Sequence, residues 1–449
     1  MKIKNVILSK SYTGFYFDDQ KAIKLGAKSD GMFYEGKPAT PGFTKIRQTG
    51  EAISIQIVLE DGTIGLGDCA AVQYSGAGGR DPLFLASDFI PFLQEKIVPM
   101  LIGEEIDHFK PLAEKYDRLV VDGKRLHTAV RYGLTQAFLN ALANYKHITM
   151  AEVIRDEYDT MQTEWKPIPV FTQSGDDRYM NSDKMIIKEA DVLPHALINH
   201  VGTKLGEHGE ILAEYVKWLR NRIIERRVSP DYNPVLHIDT YGTPGIAFKG
   251  DVKKMVDYFI ELEKIASPFL LRIEGPVDTG DREGTMIALR DIRKGLEEKG
   301  SKVEIVADEW CNTYEDVVYF ADNKAGHMLQ IKTPDLGGVN NVADAIVYCN
   351  KAGIGSYCGG TCNETNISAQ TTTNIAIACG ATQCLAKPGM GVDEGYMIVK
   401  NEMSRRLRSN CLPLLRALLG RAGICSKTPR CENHSGSHRN GCSVSRNKE

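Results

Sequence analysis

Four apolar segments of this chain end in ionisable residues, in the order Asp, Glu, Asp, Lys. The segments are "PVLHID" (234–239), "PFLLRIE" (268–274), "VEIVAD" (303–308) and "HMLQIK" (327–332), and the terminal residues are Asp239, Glu274, Asp308 and Lys332. Side chains two apart on a β-strand share a face, so we expect His237, Arg272 and Gln330 to point the same way as the ionisable residues that follow them. The repeated pattern predicts one shared site.

The spacing of these residues allows a helix between successive strands. The intervals are 35, 34 and 24 residues, and each is long enough for one crossover helix with its loops. In a barrel of parallel strands, the four side chains would meet at the C-terminal mouth, where such barrels carry their active sites. Three carboxylates brought together repel one another unless a cation lies among them. Oxygen ligands favour Mg²⁺ or Mn²⁺ over zinc, so the sequence predicts a divalent metal site.

Lys332 is the candidate base at this site. Burial and a neighbouring cation both disfavour an ammonium ion, so we expect a lowered lysine pKa and a neutral amine that acts as a general base. The metal would stabilise the charge that forms when a C–H group next to a carboxylate loses its proton. The alternative is that polar strand ends merely mark the edge of the core, but three acids followed by a lysine in the same phase favour a site.

Other candidates lie near these strands. Gln173 ends the first predicted strand, and His195 follows the second in "ADVLPHAL", although a lone loop histidine is more often structural. The glycine-rich "YCGGTCNET" (357–365) has backbone N–H groups suited to a substrate carboxylate. The segment "YSGAGGRDP" (74–82) lacks the Gly-Lys-Ser/Thr ending of a phosphate loop, so we do not expect it to bind phosphate.

The elements that must position these residues repeat as strand, loop and helix from about residue 166. Further predicted strands are "IPVFTQ" (168–173), "KMIIKE" (184–189) and "GIGSYC" (353–358), and 207–227 has the periodicity of a helix. The stretch from 166 to 403 approaches the ~250 residues of an eight-fold barrel. A doubly wound open sheet is the alternative, but no G-x-G-x-x-G follows any of the strands.

The first third of the chain has a different texture. Segment 52–72 alternates apolar and polar residues around an Asp61-Gly62 turn, which predicts a hairpin. Helical periodicity follows over 83–101 and 126–145. We therefore predict an α/β protein in which an N-terminal α+β capping domain (1–160) precedes a TIM-type β/α barrel (161–403).

Composition limits the partners and the location. Residues 1–403 hold 45 basic and 56 acidic side chains, which argues against a nucleic-acid partner. No secretion signal is recognisable at the N-terminus, and the longest apolar segment (83–102) is interrupted by charges and proline, which makes it a poor membrane span. Seven of the eleven cysteines lie in residues 1–403, scattered and without C-x-x-C pairs, which is typical of reduced thiols in a cytoplasmic protein.

The last 46 residues, 404–449, differ from the rest. They hold ten Lys/Arg against two Glu and are rich in Cys, Ser and Arg. Their cysteines and histidines fit no zinc spacing well, and no aromatic residue is present to stack on bases. We predict a basic, disordered tail without a chemical role, with a zinc or nucleic-acid binding module as the alternative.

The Asp, Glu, Asp, Lys series behind a smaller α+β domain resembles the enolase superfamily. Within it, "DCAAVQYSGAGGRDPLF", "SGDDRY", "IVADEWCNT", "HMLQIKTPDLGGVNN" and "YCGGTCNETN" are similar to the methylaspartate ammonia-lyase family, over about residues 1–403. Other branches fit less well. The muconate-lactonising branch expects Lys-x-Lys on the second strand, whereas Lys184 and Lys188 are four apart. Mandelate-type racemases expect a histidine after the seventh strand, where "YCGGTC" has none.

The resemblance implies an activity and roles for individual residues. The family reversibly deaminates threo-3-methylaspartate to mesaconate and ammonia in fermentative glutamate degradation. By resemblance, Asp239, Glu274 and Asp308 hold Mg²⁺, and Lys332 removes the C3 proton of the (2S,3S) substrate. His195 lies on the opposite face, where it stabilises the intermediate and serves the (2S,3R) epimer. The implied substrate contacts are Gln73, Gln173, Gln330, Thr361, Cys362 and Leu385.

The resemblance also implies K⁺ as an activator and a homodimer as the assembly. The competing hypothesis is a non-catalytic protein that binds a metal or an amino acid on the same barrel. A base, metal ligands and an anion-binding loop are all present in the sequence, which favours the hypothesis of a carbon–nitrogen lyase.

Overall fold

The computed structural model describes residues 1–77, 79–162, 164–390 and 392–409. These ranges contain every predicted site residue, whereas most of the predicted tail lies outside them. Within them, antiparallel sheets and helices come first, and alternating strands and helices follow. None of the helices described is long and apolar enough to cross a membrane.

The N-terminal elements build a three-stranded antiparallel sheet in the order β1-β4-β5, with helices packed against it. The predicted hairpin joins β4 to β5, and Ile53, Ile55 and Ile57 are fully buried on one face of β4. In chain order these elements are β1 (Ile3–Asp18), α1 (Gln20–Lys24), β2 (Lys28–Asp30), β3 (Phe33–Glu35), β4 (Arg47–Leu59), β5 (Ile64–Ala70), α2 (Ala86–Phe92), a π-helix (Leu93–Ile97), α3 (Val98–Leu101), α4 (Phe109–Asp117), β6 (Val120–Val121), β7 (Lys124–Arg125), α5 (Thr128–Lys146) and α6 (Met150–Glu157).

The later strands close into an eight-stranded parallel barrel, in the order β8 to β15 with β15 paired to β8. The elements are β8 (Val170–Phe171), α7 (Arg178–Ile187), β9 (Val192–His195), a π-helix (Val201–Leu205), α8 (Glu210–Arg226), β10 (Val235–Asp239), α9 (Thr243–Ala247), α10 (Val252–Ala266), β11 (Leu271–Glu274), α11 (Arg282–Glu298), β12 (Glu304–Ala307), α12 (Tyr314–Asp322), β13 (Met328–Ile331), α13 (Val339–Ala352), β14 (Gly355–Cys358), α14 (Asn366–Cys379), β15 (Gln383–Leu385) and α15 (Val392–Ser409). The predicted fold class is thereby confirmed.

The second predicted strand, 184–189, is wrong. Most of this segment is the end of helix α7, and the second strand of the barrel is β9, which ends on His195. Met185 and Ile186 are buried, but their side chains lie on one face of α7 against the barrel. A short apolar run has the same appearance in a strand and in one helical turn, so periodicity alone does not separate the two.

Two further details differ from the prediction. The eighth strand, β15, has only three residues and has no place in the predicted series. Helix α15 continues to Ser409 and so includes the first six residues of the predicted tail, and Leu407 packs against the core. The rest of the predicted tail, 410–449, lies outside the described residues.

The interior of the barrel carries a separate apolar layer beneath its C-terminal mouth. This layer contains Phe171, Val192, Val306, Met328, Tyr357 and Leu385. The larger core lies between the strands and the surrounding helices and continues into the N-terminal elements. The polar residues at the strand ends therefore rest on a packed floor, which holds them in defined positions.

Candidate active site

Three carboxylates meet at the C-terminal mouth of the barrel. Asp239 and Glu274 are the last residues of the neighbouring strands β10 and β11 and pair in register, and Asp308 directly follows β12. One oxygen from each carboxylate lies within 4.8 Å of the others. We call Asp239, Glu274 and Asp308 the carboxylate cluster. The structure thus brings together the three acids that the sequence places in series.

The negative charge of the carboxylate cluster is only partly balanced by nearby positive charge. Burial, with Asp239 and Asp308 nearby, raises the pKa of Glu274 well above its ordinary value. Burial also raises the pKa of Asp308 to about 7; Lys332 opposes this shift, while Glu309 and Asp239 add to it. Both shifts are those expected of desolvated like charges.

These residues fit a divalent cation. Oxygen Oε1 of Glu274 is buried and has no hydrogen-bond partner among the described residues, and an unpaired buried carboxylate oxygen is costly unless a ligand contacts it. Carboxylates alone, without a histidine or cysteine, are the donor set of Mg²⁺ and related hard cations. The cluster therefore has both the charge and the chemistry of a magnesium site.

Lys332 lies next to the cluster on the strand that follows. Its Nζ is 3.0 Å from Asp308 Oδ1, 3.3 Å from Glu309 Oε2 and 3.1 Å from Asn312 Oδ1. Burial disfavours the ammonium ion, but the carboxylates of Asp308 and Glu309 outweigh it and raise the pKa of Lys332. The lowered lysine pKa that the sequence predicts is therefore wrong for the charges of the described residues, because two neighbouring carboxylates favour the ammonium ion more than burial disfavours it. A bound cation would act in the opposite direction and lower the pKa of Lys332.

His195 faces the cluster from the other side. Strands β9 and β13 are four apart in a ring of eight, so His195 and Lys332 lie on opposite sides of the mouth. His195 Nε2 is 3.2 Å from Asp239 Oδ2, and its Nδ1 is buried without a hydrogen-bond partner in the described part of the chain. The residues 195–197 all have positive φ, a conformation that costs non-glycine residues about 1–2 kcal/mol each and is concentrated at functional sites.

Two of the predicted substrate contacts connect the N-terminal part to the barrel. The Sγ of Cys362 donates a hydrogen bond to Gln73 Oε1 (3.2 Å), and Gln73 Nε2 donates to Asp18 Oδ2 (2.7 Å). The hydroxyl of Thr361 is 4.0 Å from Cys362 Sγ. Burial raises the pKa of Cys362 to about 12, so this thiol stays protonated and acts as a donor.

The remaining predicted contacts lie in or beside the barrel interior. Gln330 in β13 lies opposite Tyr357 in the neighbouring strand β14, and Leu385 ends β15 within the apolar layer. Gln173 is buried two residues after Phe171, whose ring belongs to the same layer. An extended chain would place the two on one face.

Sequence reasoning missed several residues that the structure adds. Glu309 and Asn312 contact Lys332, and Glu309 had a signal, since it directly follows Asp308. His237 has the expected orientation but an unexpected partner: its Nε2 is 2.8 Å from Glu274 Oε2. Burial lowers the pKa of His237 well below its ordinary value.

A buried ion pair between Lys387 and Glu364 was also missed. Both side chains are fully buried, and Lys387 Nζ is 2.9 Å from Glu364 Oε1. Lys387 also donates to Thr333 Oγ1 and the Gly359 carbonyl. A Cβ at Gly360 (φ +135°) would collide with Glu364 and Lys387, so a glycine is required there. The pair fixes the glycine-rich loop beside Lys332.

A closed barrel with three acids and a lysine at the ends of consecutive strands, preceded by antiparallel sheets and helices, is the architecture that the sequence resemblance to the enolase superfamily implies. A muconate lactonizing enzyme from Pseudomonas putida agrees at the level of the fold alone: the TM-score is 0.54 at 16% identity, over 84% of this chain and 85% of that one.

Similarity to known protein families then identifies the family of this chain. The family described as "Methylaspartate ammonia-lyase N-terminus" matches residues 1–159, and "Methylaspartate ammonia-lyase C-terminus" matches 162–411. The methylaspartate ammonia-lyase of Clostridium tetanomorphum is 65% identical over 407 residues, which are 91% of this chain and 98% of that protein. The chain belongs to the methylaspartate ammonia-lyase family, and it is an enzyme, an ammonia-lyase.

Two solved structures of this family superpose closely. The Mg complex of β-methylaspartase from Clostridium tetanomorphum has a TM-score of 0.89 at 64% identity, covering 94% of this chain and all of that one. The Citrobacter amalonaticus enzyme containing (2S,3S)-3-methylaspartic acid has the same TM-score at 55% identity, covering 91% and 99%.

Proposed function

We propose that this enzyme reversibly eliminates ammonia from L-threo-3-methylaspartate to give mesaconate, in a Mg²⁺-dependent reaction. The observation that carries the proposal is the placement of Lys332 and His195 on opposite sides of three carboxylates whose charge is only partly compensated. The Citrobacter relative, solved with (2S,3S)-3-methylaspartic acid, supports the choice of substrate.

The proposed metal ligands are Asp239, Glu274 and Asp308. A bound Mg²⁺ would supply positive charge that binds a substrate carboxylate and stabilises the negative charge developing on it. The Clostridium relative solved as a Mg complex supports this metal, and Mn²⁺ is the expected substitute because it accepts the same oxygen ligands.

Lys332 is the proposed base for the C3 proton of the (2S,3S) substrate. The surrounding acceptors on Asp308, Glu309 and Asn312 restrict the position of Nζ, and a base must be aimed at the proton that it removes. After transfer, the ammonium ion is stabilised by the carboxylates of Asp308 and Glu309. The same contacts therefore position the amine of Lys332 and favour the transfer of the proton to it.

His195 is the proposed group on the opposite face. Its Nε2 is held by Asp239, whereas its Nδ1 has no partner among the described residues. A ring fixed in this way is positioned to stabilise the intermediate and to remove the proton of the (2S,3R) epimer from the other side. This arrangement supports one enzyme acting on both C3 epimers.

The amino acid itself is proposed to lie between the glycine-rich loop and the barrel mouth. Cys362 is linked to Gln73, so the N-terminal part and the barrel both contribute to this volume. The proposed substrate contacts are Gln73, Gln173, Gln330, Thr361, Cys362 and Leu385.

Further parts of the proposal concern context. We propose a capping domain over residues 1–160 and a catalytic barrel over 161–403, a homodimer, K⁺ as an activator and a role in glutamate degradation through mesaconate, all on the strength of the family. The seven cysteines described are all free thiols, which supports a cytoplasmic location.

The direct test is turnover of a small panel of aspartate derivatives, followed by the ultraviolet absorbance of mesaconate and its analogues. We expect 3-methylaspartate to react only when MgCl₂ is present, and a chelator to stop the reaction. Calorimetric binding of 3-methylaspartate without turnover would instead favour the non-catalytic binding protein.

Glu274→Gln tests the metal assignment. The substitution keeps the size of the side chain but removes its charge, so we expect the dependence of activity on MgCl₂ to disappear together with the activity. Lys184→Gln, which alters an exposed lysine paired with Asp393, is the control and should behave as the parent. Parent-like Mg²⁺ dependence in Glu274→Gln would contradict the assignment.

A further inference from the structure

A chain of polar side chains runs through the barrel interior to the carboxylate cluster. Arg272 Nη1 is 2.7 Å from Gln383 Oε1, Gln383 Nε2 is 2.9 Å from His237 Nδ1, and His237 Nε2 is 2.8 Å from Glu274 Oε2. Strands β10, β11 and β15 supply these residues. We call Arg272, Gln383 and His237 the interior relay.

The chemistry of the relay fixes the direction of each hydrogen bond. A guanidinium only donates, so Gln383 Oε1 must accept from Arg272. The amide nitrogen of Gln383 therefore faces His237 and donates to Nδ1. Since Nδ1 accepts, the ring proton lies on Nε2, and Nε2–H donates to Glu274 Oε2.

Packing and a second hydrogen bond hold the two ends of the relay in one orientation. His237 is fully buried, and its ring stacks on Phe171 with centroids 4.2 Å apart and planes at 14°. The other end is anchored because Arg272 Nε donates to Glu304 Oε2 at 2.6 Å. A ring flip would place the ring nitrogens away from both partners and leave buried polar atoms unpaired.

The two oxygens of Glu274 differ as a result. Oε2 is occupied by His237, whereas Oε1 is buried with no partner among the residues that the structure describes. One oxygen from each acid lies within 4.8 Å of the others in the carboxylate cluster. The single unpaired oxygen of Glu274 is thus the one left for a cation.

We propose that His237, held as the Nε2–H tautomer by Gln383 and Arg272, is a positioning residue that orients Glu274 so that Oε1 binds the metal. This inference rests on the proposed metal-dependent function and deepens it. Both ring nitrogens of His237 are used by Gln383 and Glu274, so the proposed effect of His237 on the metal is exerted through Glu274. Outer-shell partners of this kind change metal affinity by about 10–100-fold when removed.

The first test is calorimetric titration of the full chain with MgCl₂, without substrate. We expect His237→Leu to raise the Mg²⁺ dissociation constant about 10–100-fold. Gln383→Leu removes the donor to Nδ1 and the acceptor for Arg272 but leaves the His237 ring next to Glu274, so it should raise the dissociation constant less. His237→Gln retains an N–H donor and should recover part of the affinity.

Ser356→Ala is the matched control. Ser356 is buried on β14 with an unpaired hydroxyl, so the substitution alters a barrel strand without touching the relay, and the parent affinity should be retained. Circular dichroism of each variant separates lost affinity from lost folding. A folded His237→Leu variant with the parent dissociation constant would overturn the proposal.

The second test needs no metal and no substitution of His237 in the measured protein. Two-bond ¹H–¹⁵N spectra of histidine-labelled full chain distinguish the two tautomers, and the His237→Gln variant assigns the signal. We expect the Nε2–H tautomer in the parent and a mixed pattern in Gln383→Leu. An Nδ1–H tautomer or an imidazolium ion in the parent would refute the relay.

The outcomes separate this inference from the proposed function. Suppose that the parent binds Mg²⁺, that Glu274→Gln loses this binding, and that folded His237→Leu keeps it. The positioning role of His237 then fails, while the proposed metal site stands. If the parent binds no Mg²⁺, the proposed metal site fails, and the positioning role fails with it.

Discussion

Two groups of buried charges lie at the same end of the barrel and differ in how well they are satisfied. In the Lys387–Glu364 pair, charge is balanced: Glu364 Oε1 accepts from Lys387 and Thr333, and Oε2 accepts from Tyr132 and Ser368 at 2.7 and 2.9 Å. In the carboxylate cluster, three acids share Lys332 and His195, and Glu274 Oε1 has no partner within the described ranges.

The difference separates a structural role from a functional one. A buried ion pair whose donors and acceptors are all hydrogen-bonded has no free atom for a ligand. Its role is structural, because replacing one partner leaves the other charge buried and unpaired and so lowers the stability of the fold. Buried like charges with an unpaired oxygen cost stability until a cation arrives, which is the signature of a functional site. Substitutions in the carboxylate cluster should therefore change activity more than stability, whereas substitutions in the Lys387–Glu364 pair should change stability.

Lys332→Ala should lower kcat for the (2S,3S) substrate by about 10²–10⁴-fold, the range of a general base, with the melting temperature in MgCl₂ close to that of the parent. Mesaconate absorbance and thermal unfolding measure the two effects. Lys184→Ala, at an exposed ion pair, is the control and should retain parent activity. Near-normal activity in Lys332→Ala would contradict the assignment of the base.

Glu364→Gln should instead reduce stability. Removing one partner leaves the buried Lys387 uncompensated, which costs about 3–5 kcal/mol in the free energy of unfolding. Urea denaturation measures this change, and Asp159→Asn, at an exposed pair with Lys351, is the control without a measurable effect. Parent stability in Glu364→Gln would show that the pair is not the structural element that we infer.

The stabilisation by Mg²⁺ should grow with pH. Because the pKa of Asp308 is raised from its ordinary value to about 7, the folded chain holds this proton longer than the unfolded chain. Its contribution to stability therefore declines as pH rises from about 4 to about 7 and stays low above that. Mg²⁺ binds the ionised form, so it should raise the melting temperature more at pH 8 than at pH 6.

Differential scanning fluorimetry with MgCl₂ or with a chelator measures this shift. The Glu274→Gln variant provides the reference for a cluster with one charge fewer, and its shift should be smaller at both pH values. Equal Mg²⁺ shifts of the parent at pH 6 and pH 8 would argue against a raised carboxyl pKa in the cluster.

The smallest effect is expected from truncation after Ser409, which we predict to leave both turnover and thermal unfolding unchanged. Truncation after Met403 removes the end of α15 together with Leu407, which packs against the core, and should lower the melting temperature. A loss of folding in the Ser409 truncation would give the tail the structural role that its composition does not predict.

The fold and much of the site are readable from the sequence because their signals are local. Strands β10 to β13 each combine an apolar run with a terminal charge, and the Asp61-Gly62 hairpin has its own turn chemistry. The second strand was mislocated because "KMII" is apolar on a helical face as well. Strand β15 was missed because three residues are too few for a period to show.

The sequence by itself determined the order Asp239, Glu274, Asp308, Lys332 and the two-residue phase that points them into one cavity, since strand geometry makes both a local property. Only the tertiary structure decided which groups oppose one another. Closure of the barrel sets His195 across from Lys332, brings Gln73 to Cys362 289 residues away, and joins Gln383 to His237 146 residues away. Such contacts depend on how the ring closes, and no spacing along the chain encodes that.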